Sequence, residues 1–520
     1  MVVMDNPKDS GQARLEALGY KQSLNRDLGV LGNFAFAFNI IGVLASVSIL
    51  FGYGLNYGGP ISMVYGWMIG GFFNLLLAVS MAEICSAYPT TGGLYYWSYM
   101  LSGRNWGPLG AWLTGWSNLT AQWAFTATVD YSLAILLQAI ILLSTGGGNG
   151  GGYYISKYHV IAIDAGFLIT HGLVNSLPIG VLGFLGTLAS VWNMVGILVL
   201  MVLIPLVSTH PRSAEWVFTS FNTDDGVGIH SYPYIFLVGL LICPLAIFGY
   251  DTSAHMTEET KASDKNGAYG LLSGVIFGTV FGFAYMLGIL FATGDPLHVL
   301  DPGNDAHGYA IAQVFYDAFY SRYGSGVGGI ICLGVVGVSL WFCGMSTVTT
   351  NSRMVYAFSR DGAMPFSKVW HSVNRREVPI HAVWLSAFMG LVIGLPSLGS
   401  SVAFQAMVSI AGVGFYISYA LPVLFRITFS RNTFIPGPFY LGKTLSLFVG
   451  WIAVLWVVAL AVMLCLPVAY PIDSQTLNYA PVAFGGMLVL VLVAWVLFVH
   501  KWFKGPVREI EKLDSNALSL

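Results

Sequence analysis

Charge is scarce in this sequence. Lysine, arginine, aspartate and glutamate together make up 9% of its 520 residues, against about 25% in a soluble domain. Hydrophobic residues supply 56% and the mean hydropathy is +0.71. That excludes a water-soluble fold and predicts a polytopic membrane protein. The net charge of −2 carries no basic excess, so neither nucleic acid nor an acidic partner is expected. Cysteine is sparse as well. Cys85, Cys243, Cys332, Cys343 and Cys465 lie in apolar runs without ligand spacing and are read as packing residues. No nucleophile–histidine–acid constellation and no metal-ligand cluster appear, so no enzyme, metal or cofactor is expected. No removable signal peptide is visible: the first 27 residues are polar and mixed in charge before a long apolar segment begins. Asp5, Glu16 and Asp27 argue against a mitochondrial transit peptide, and the C-terminal end lacks a lipidation signature. Asn118-Leu-Thr spells a glycosylation sequon inside an apolar run, where it reads as a chance match.

Apolar length is what the chain has in quantity. A membrane-crossing helix needs about 20 apolar residues. By that measure about twelve spans are predicted, at 30–57, 62–84, 107–143, 159–178, 180–208, 232–256, 267–293, 326–352, 380–398, 402–425, 445–469 and 479–500. Alternating the loops from a cytoplasmic N-terminus puts 19 lysines and arginines inside and only Lys157, Arg212 and Arg322 outside. Such a bias predicts that both termini are cytoplasmic. The run Ser144–Gly152 has no strand before it and no Gly-Lys-Ser/Thr after it, so it reads as a flexible linker rather than a phosphate cradle. Ser359–Pro365 carries turn and charge signals and is expected to form a short gating or anchoring element.

Two spans are interrupted. In the sixth, Phe248-Gly249-Tyr250-Asp251 places glycine and a carboxylate about halfway through an apolar helix. A charge at that depth needs a partner or a function, and the glycine lets backbone leave the helical path. In the first, Asn39 and Gly42 fall at a corresponding depth, five spans earlier. Paired interruptions in corresponding spans point to a transporter site between inverted repeats, where half-helix ends offer amides to an anion and carbonyls to a cation. A zwitterion fits both. The structural alternative for Gly42 is close helix packing.

With Glu83-Ile-Cys-Ser-Ala-Tyr-Pro-Thr-Thr-Gly-Gly-Leu-Tyr-Tyr-Trp97, Gly249-Tyr-Asp-Thr-Ser-Ala-His-Met-Thr-Glu-Glu259 and Asn351-Ser-Arg-Met-Val-Tyr-Ala-Phe-Ser-Arg-Asp-Gly-Ala-Met-Pro365 in view, nearly the whole chain resembles the amino acid–polyamine–organocation superfamily. Within its amino acid/choline branch it is similar to the plant bidirectional amino-acid transporters, or GABA permeases. The resemblance implies an all-α integral membrane protein. Its fold would be a 5+5 inverted-repeat core with discontinuous first and sixth helices, two further helices and alternating access. It implies a cytoplasmic segment at 1–28, a transport core at 29–427, helices 11–12 at 428–502 and a cytoplasmic tail at 503–520.

The resemblance also implies that Ile41, Gly42 and Val43 receive a substrate carboxylate, while Phe248, Gly249, Tyr250 and Asp251 receive its amine. Many amino-acid members carry Gly-Ser-Gly where this chain has Ile-Gly-Val, so an ω-amino acid or a quaternary amine stays in the reading. Some proton-driven relatives place a lysine in the fifth span. Ile179–Val207 has none, which favours a facilitator or exchanger running both ways. Proton coupling through a carboxylate, and Na+ coupling through hydroxyls such as Ser346 and Thr347, stay open.

Other polar residues inside the spans have two readings each. Asp251 either meets an amine or co-ion or caps the second half of its helix. Asp130 shares a helical face with Trp123 and Thr126, with Gln122 nearby, and is either a substrate or proton residue or a helix–helix hydrogen-bonding one. Glu83 is an inner-gate partner or an anchor, Glu258 a gate or solvated charge, and His255 a relay beside Asp251 or a satisfied helix histidine. Phe248 and Tyr250 flank the break, where they can close over an ammonium group. The functional expectation is a multi-pass secondary transporter for amino acids including GABA, in the plasma membrane, with Golgi and inner mitochondrial membrane as alternatives. The rivals are a choline or polyamine carrier on the same scaffold and an amino-acid-sensing receptor.

Overall fold

The computed structural model describes residues 9–222, 227–399, 401–473 and 476–506. The expectations for Asp5, for most of the 503–520 tail, and for Lys8, Arg508 and Lys512 in the charge bias lie outside those residues. Among the described residues the chain is helical, and its only β pairing is the isolated bridges Leu28–Thr260 and Gly58–Asn222.

A short α1 (Ser10–Ala17) leads into α2 (Val30–Ile41) and α3 (Val43–Asn56), which meet at Gly42. Then come α4 (Gly59–Ala87), α5 (Gly93–Leu101), the 42-residue α6 (Gly103–Ser144), α7 (Lys157–Asn175), α8 (Ile179–Val207) and α9 (Ala214–Thr219). The sixth apolar segment divides into α10 (Tyr232–Leu240), α11 (Ile242–Ala246), α12 (Thr252–His255) and a 3-10 turn at Thr257–Glu259. The rest is α13 (Ser263–Ala292), α14 (Pro296–Leu300), α15 (Ala310–Tyr323), α16 (Val327–Arg360), α17 (Ser367–Trp370), α18 (Ile380–Gly394), α19 (Ser401–Ile427), α20 (Lys443–Leu464), α21 (Ala480–Ala494), a π turn at Trp495–Val499 and α22 (His500–Trp502).

Ten segments among the described residues are long and apolar enough to cross a membrane, against the twelve counted from sequence. The two others have visible physical reasons for falling short. α7 carries Lys157, His159, Asp164 and His171 along its length. The sixth segment keeps only Tyr232–Ala246 as an apolar helix before its break.

The packing pattern is that of a protein in lipid. On α8, Phe184, Leu188, Val191, Val195, Val199, Val202 and Leu206 form an exposed apolar stripe at helical spacing. The opposite face, Leu182, Gly186, Ala189, Asn193, Gly196 and Leu200, is buried and includes the polar and small residues. Water would penalise that outer stripe, whereas hydrocarbon accepts it, and small residues let helix backbones approach. Inside, α6 runs along α19, α16 and α5, while α13 lies against α4, α2 and α8. All five cysteines are free thiols, four of them buried. The run Ser144–Gly152 is not a free linker: the amides of Gly148 and Asn149 donate to the Asp305 main-chain and side-chain oxygens at 3.0 and 3.2 Å. Glycine there serves close docking of backbone on backbone, which composition alone could not distinguish from flexibility.

Candidate functional site

Both interruptions are present, and each turns on one glycine. Gly42 adopts φ +48°, ψ +51°, ending α2 and starting α3 in a single residue. The new first turn of α3 begins with amides that have no intrahelical carbonyl. Gly249 adopts φ +81°. A Cβ there would lie 2.2 Å from Ile40 Cγ2, so the second break is pressed against the last turn before the first. Only glycine combines that dihedral with that approach.

Where the Gly249 break meets the last turn of α2 lies a small cavity of about 10 Å³ lined by Ile40, Gln122, Phe125, Gly249, Asp251, Thr252, Thr347, Thr350 and Phe415, all of them buried. That is room for about one water molecule. Asp251 dominates its chemistry. One carboxylate oxygen accepts from Asn118 Nδ2 at 2.8 Å and lies 3.5 Å from Gln122 Nε2; the other accepts from the Tyr419 hydroxyl at 2.7 Å. Tyr419 in turn accepts from the Gly249 amide at 2.9 Å, tying the break to α19. No capping bond runs from the Asp251 side chain into α12; its carboxylate bonds residues of α6 and α19 instead. His255 Nδ1 lies 2.9 Å from the Thr91 carbonyl and Nε2 3.3 Å from Asp251. A carbonyl only accepts, so Nδ1 carries the proton.

Toward one face the cavity ends at three rings. Phe125 and Phe248 are 4.8 Å apart, Phe248 and Phe415 5.1 Å, and Phe125 and Phe415 5.9 Å. Beyond them, along α3, α11 and α19, opens a vestibule of about 200 Å³ lined in part by Tyr53, Leu245, Val408 and Asn478. Toward the face that carries the N-terminal segment the closure is ionic. Arg360 donates two 3.0 Å bonds to Glu258, and Arg353 donates bonds of 3.0 and 3.1 Å to Glu259. Glu258 also accepts from the Thr91 amide at 3.0 Å. Burial alone would push the Glu258 carboxyl up, but Arg360, the Thr91 amide and the more distant Arg26 outweigh it and hold it below the usual carboxylate range. The N-terminal segment lies over this closure: the Tyr20 ring sits 4.6 Å from the Arg360 guanidinium, Gln22 donates to the Glu258 carbonyl at 2.8 Å, and Arg26 donates to the Thr260 carbonyl at 2.6 Å.

The residues singled out from sequence separate into groups. Gln122, Gly249 and Asp251 line the cavity, and Phe248 belongs to the ring lid. Gly42 forms the first break, but Ile41 and Val43 turn their side chains to α13, at Gly274, Gly278 and Gly282; Ile40 faces the cavity instead. Thr126 is buried against α18, near Gly390. Tyr250 is buried with its ring 4.9 Å from Tyr419. Asn39 bonds the Gly186 carbonyl at 2.7 Å and binds α2 to α8. Glu83 accepts from the Leu441 amide and the Ser446 hydroxyl, each at 2.6 Å, so it anchors α4 to the start of α20. Asp130 lies away from the cavity beside His171 of α7, at 3.0 Å. Thr347 lines the cavity, while Ser346 donates to the Phe342 carbonyl of its own helix. Sequence reasoning passed over Thr350, Phe415 and Tyr419, and took Asn118 only as part of a chance sequon. For Asn118 a signal existed: an asparagine in an apolar run needs a partner.

The family model for amino acid permeases matches residues 28–493. The amino-acid permease BAT1 homolog of Oryza sativa subsp. japonica is 58% identical over 503 residues, covering 97% of this chain and 96% of the relative. The amino-acid permease BAT1 of Arabidopsis thaliana is 58% identical over 502 residues, with 96% and 97% covered. The GABA-specific permease of Saccharomyces cerevisiae is 29% identical over 508 residues, with 96% and 86% covered. Matched along nearly its whole length, and helical with an apolar exterior as such proteins require, the chain belongs to the amino acid permease family.

Proposed function

We propose that this protein moves amino acids, GABA among them, across a membrane in either direction by alternating access. The observation that carries the reading is the small buried cavity where the Gly249 break meets α2, with a ring lid on one side and paired ions on the other. A cavity of about 10 Å³ holds no amino acid, so one barrier or the other must open to admit substrate. The amine meets Asp251 and the rings; the carboxylate meets amides at the start of α3, with Gln122 beside it. Gly42, Gly249, Phe248 and Asp251 are then the central residues, and Ile41, Val43, Thr126 and Tyr250 support them. In this reading residues 29–427 form a 5+5 inverted-repeat core and 428–502 two further spans, making twelve. The lysine and arginine bias supports cytoplasmic termini, which puts the ion-paired closure inside and the vestibule outside, in the plasma membrane. His255 and Glu258 act in opening that closure.

One observation favours a second reading. The cavity lining holds a carboxylate and two aromatic rings but no cationic side chain, which suits choline or a polyamine as well as a zwitterion. Counterflow in proteoliposomes at symmetric pH, with labelled GABA, alanine, glutamate, arginine and choline, separates the two. Uptake driven by unlabelled internal amino acid is the expected result. Choline counterflow alone replaces the first reading with the second, and binding without flux of any substrate replaces both with a receptor.

A further inference from the structure

The molecule contains two buried carboxylate–imidazole pairs, and they differ in how well they are satisfied. Asp251 beside His255 accepts from Asn118 and Tyr419 as well. Asp130 on α6 and His171 on α7 approach to 3.0 Å with neither side chain exposed, yet neither oxygen nor either ring nitrogen has an aligned hydrogen-bond partner. Asp164, two turns before His171 on α7, is equally buried, lies within electrostatic reach of Asp130, and has both oxygens unpartnered.

Ionised, the two aspartates would place two like charges together in a medium that tolerates neither. The other titratable groups at this place are Tyr131 of α6, near Asp164, and Cys343 of α16, near Asp130. Neither is a cation. No lysine or arginine lies on α6 beyond Arg104, on α7 beyond Lys157, on α16 before Arg353, or on α18. The three side chains do not converge as a metal-ligand set among the described residues. A proton is the cation that fits.

The cluster is joined to the transport path by α16. Gly344 presses on both members of the pair: a Cβ there would lie 2.5 Å from His171 Cε1 and 2.6 Å from Asp130 Oδ1. One turn on, Thr347 donates to the Gly344 carbonyl at 2.8 Å and lines the cavity. Farther along the same helix are Thr350 of the cavity and Arg353 and Arg360 of the ionic closure. Asn175 of α7 also donates to the Met345 carbonyl at 3.0 Å. Any movement of α16 that opens the closure therefore shifts Gly344 against the Asp130–His171 pair.

We propose that Asp130, His171 and Asp164 form a proton-binding site that couples substrate movement to the pH difference across the membrane. One proton is taken from water on one face, held between His171 Nδ1 and Asp130 Oδ1, and released to water on the other. With a zwitterionic substrate each cycle then carries one positive charge. The inference rests on the transport reading and adds its coupling ion.

The test uses the full chain in proteoliposomes, with two readouts on one preparation: counterflow at symmetric pH, and accumulation driven by an imposed pH difference with an internal pH dye. For one proton per substrate, one pH unit supports about tenfold accumulation, abolished by a protonophore. Exchange of substrate for substrate needs no net proton movement. His171→Gln is therefore expected to keep counterflow while losing both the pH-driven accumulation and the dye signal. Asp130→Asn and Asp164→Asn serve as independent variants should one fail to insert. Counterflow in the wild type without pH-driven accumulation overturns the proposal alone. So does full pH-driven accumulation in all three variants. Absence of counterflow for every substrate overturns the transport reading and this proposal with it.

Discussion

The cavity is bounded by two barriers built from different chemistry. On the vestibule side, Phe125, Phe248 and Phe415 meet edge to face and stacked. Such ring pairs contribute about 0.5–1.5 kcal/mol each beyond their burial, and rings slide past one another without leaving any group unpaired. On the other side, Glu258–Arg360 and Glu259–Arg353 each make two hydrogen bonds out of contact with water, and the N-terminal segment covers them. Stripping one partner from a buried pair costs about 3–5 kcal/mol. The lid is therefore the easier barrier to open in this conformation. The ionic closure opens only when its four charges find other partners or water together.

Gly249 lines the cavity that both barriers bound. Gly249→Val should reduce counterflow to background in correctly inserted protein, because φ +81° and the 2.2 Å approach to Ile40 exclude a branched side chain. Normal counterflow in that variant would sink the break as the pivot. Next in size is Arg353→Ala, which leaves Glu259 buried and unpaired. Thermal unfolding in detergent should show a loss of about 3–5 kcal/mol, and a cysteine at Thr350 should become reactive from the N-terminal face. Phe415→Leu keeps apolar bulk and loses only its ring pairs, so a loss of about 1–3 kcal/mol is expected. Here the same reporter cysteine should react faster from the vestibule. Equal stability losses for Arg353→Ala and Phe415→Leu would remove the distinction between the barriers.

The smallest effect near neutrality is that of pH on Glu258. Its carboxyl is held below the usual value near 4.5 in the folded protein. A group depressed on folding contributes stability that is complete above its unfolded value and is lost as pH falls through its folded one. The difference in melting temperature between wild type and Glu258→Gln should therefore be level from pH 7 to about 5 and shrink only in stronger acid. A difference that already fades between pH 7 and 6 would mean that Arg360 does not hold the charge.

Much of this was legible in the chain before any packing was known. Glycine and aspartate within an apolar run marked Gly249 and Asp251, and a matching interruption marked Gly42. The partners were harder. Tyr419 is one of 27 tyrosines, and nothing local distinguishes the one that bridges Asp251 and the Gly249 amide. Asn118 looked like a stray sequon until Asp251 stood 2.8 Å away. That the Ile40 side chain rather than that of Ile41 faces the cavity is a matter of about 100° of rotation on a helix, which the position of a break does not specify. His171 drew no notice, because a histidine gains meaning only from what faces it across another helix.

By itself the sequence determined the solvent and the breaks. Apolar length over charge requires lipid, and glycine at two corresponding depths permits backbone to leave the helix there, since both are local properties of consecutive residues. Only the tertiary structure decided which side chains share the cavity, which carboxylates meet arginine and which are left facing histidine. The Asp130–His171, Arg353–Glu259 and Gly249–Tyr419 pairings join residues 41, 94 and 170 positions apart in the chain. Their energies arise from burial and alignment, and neither exists until the helices pack.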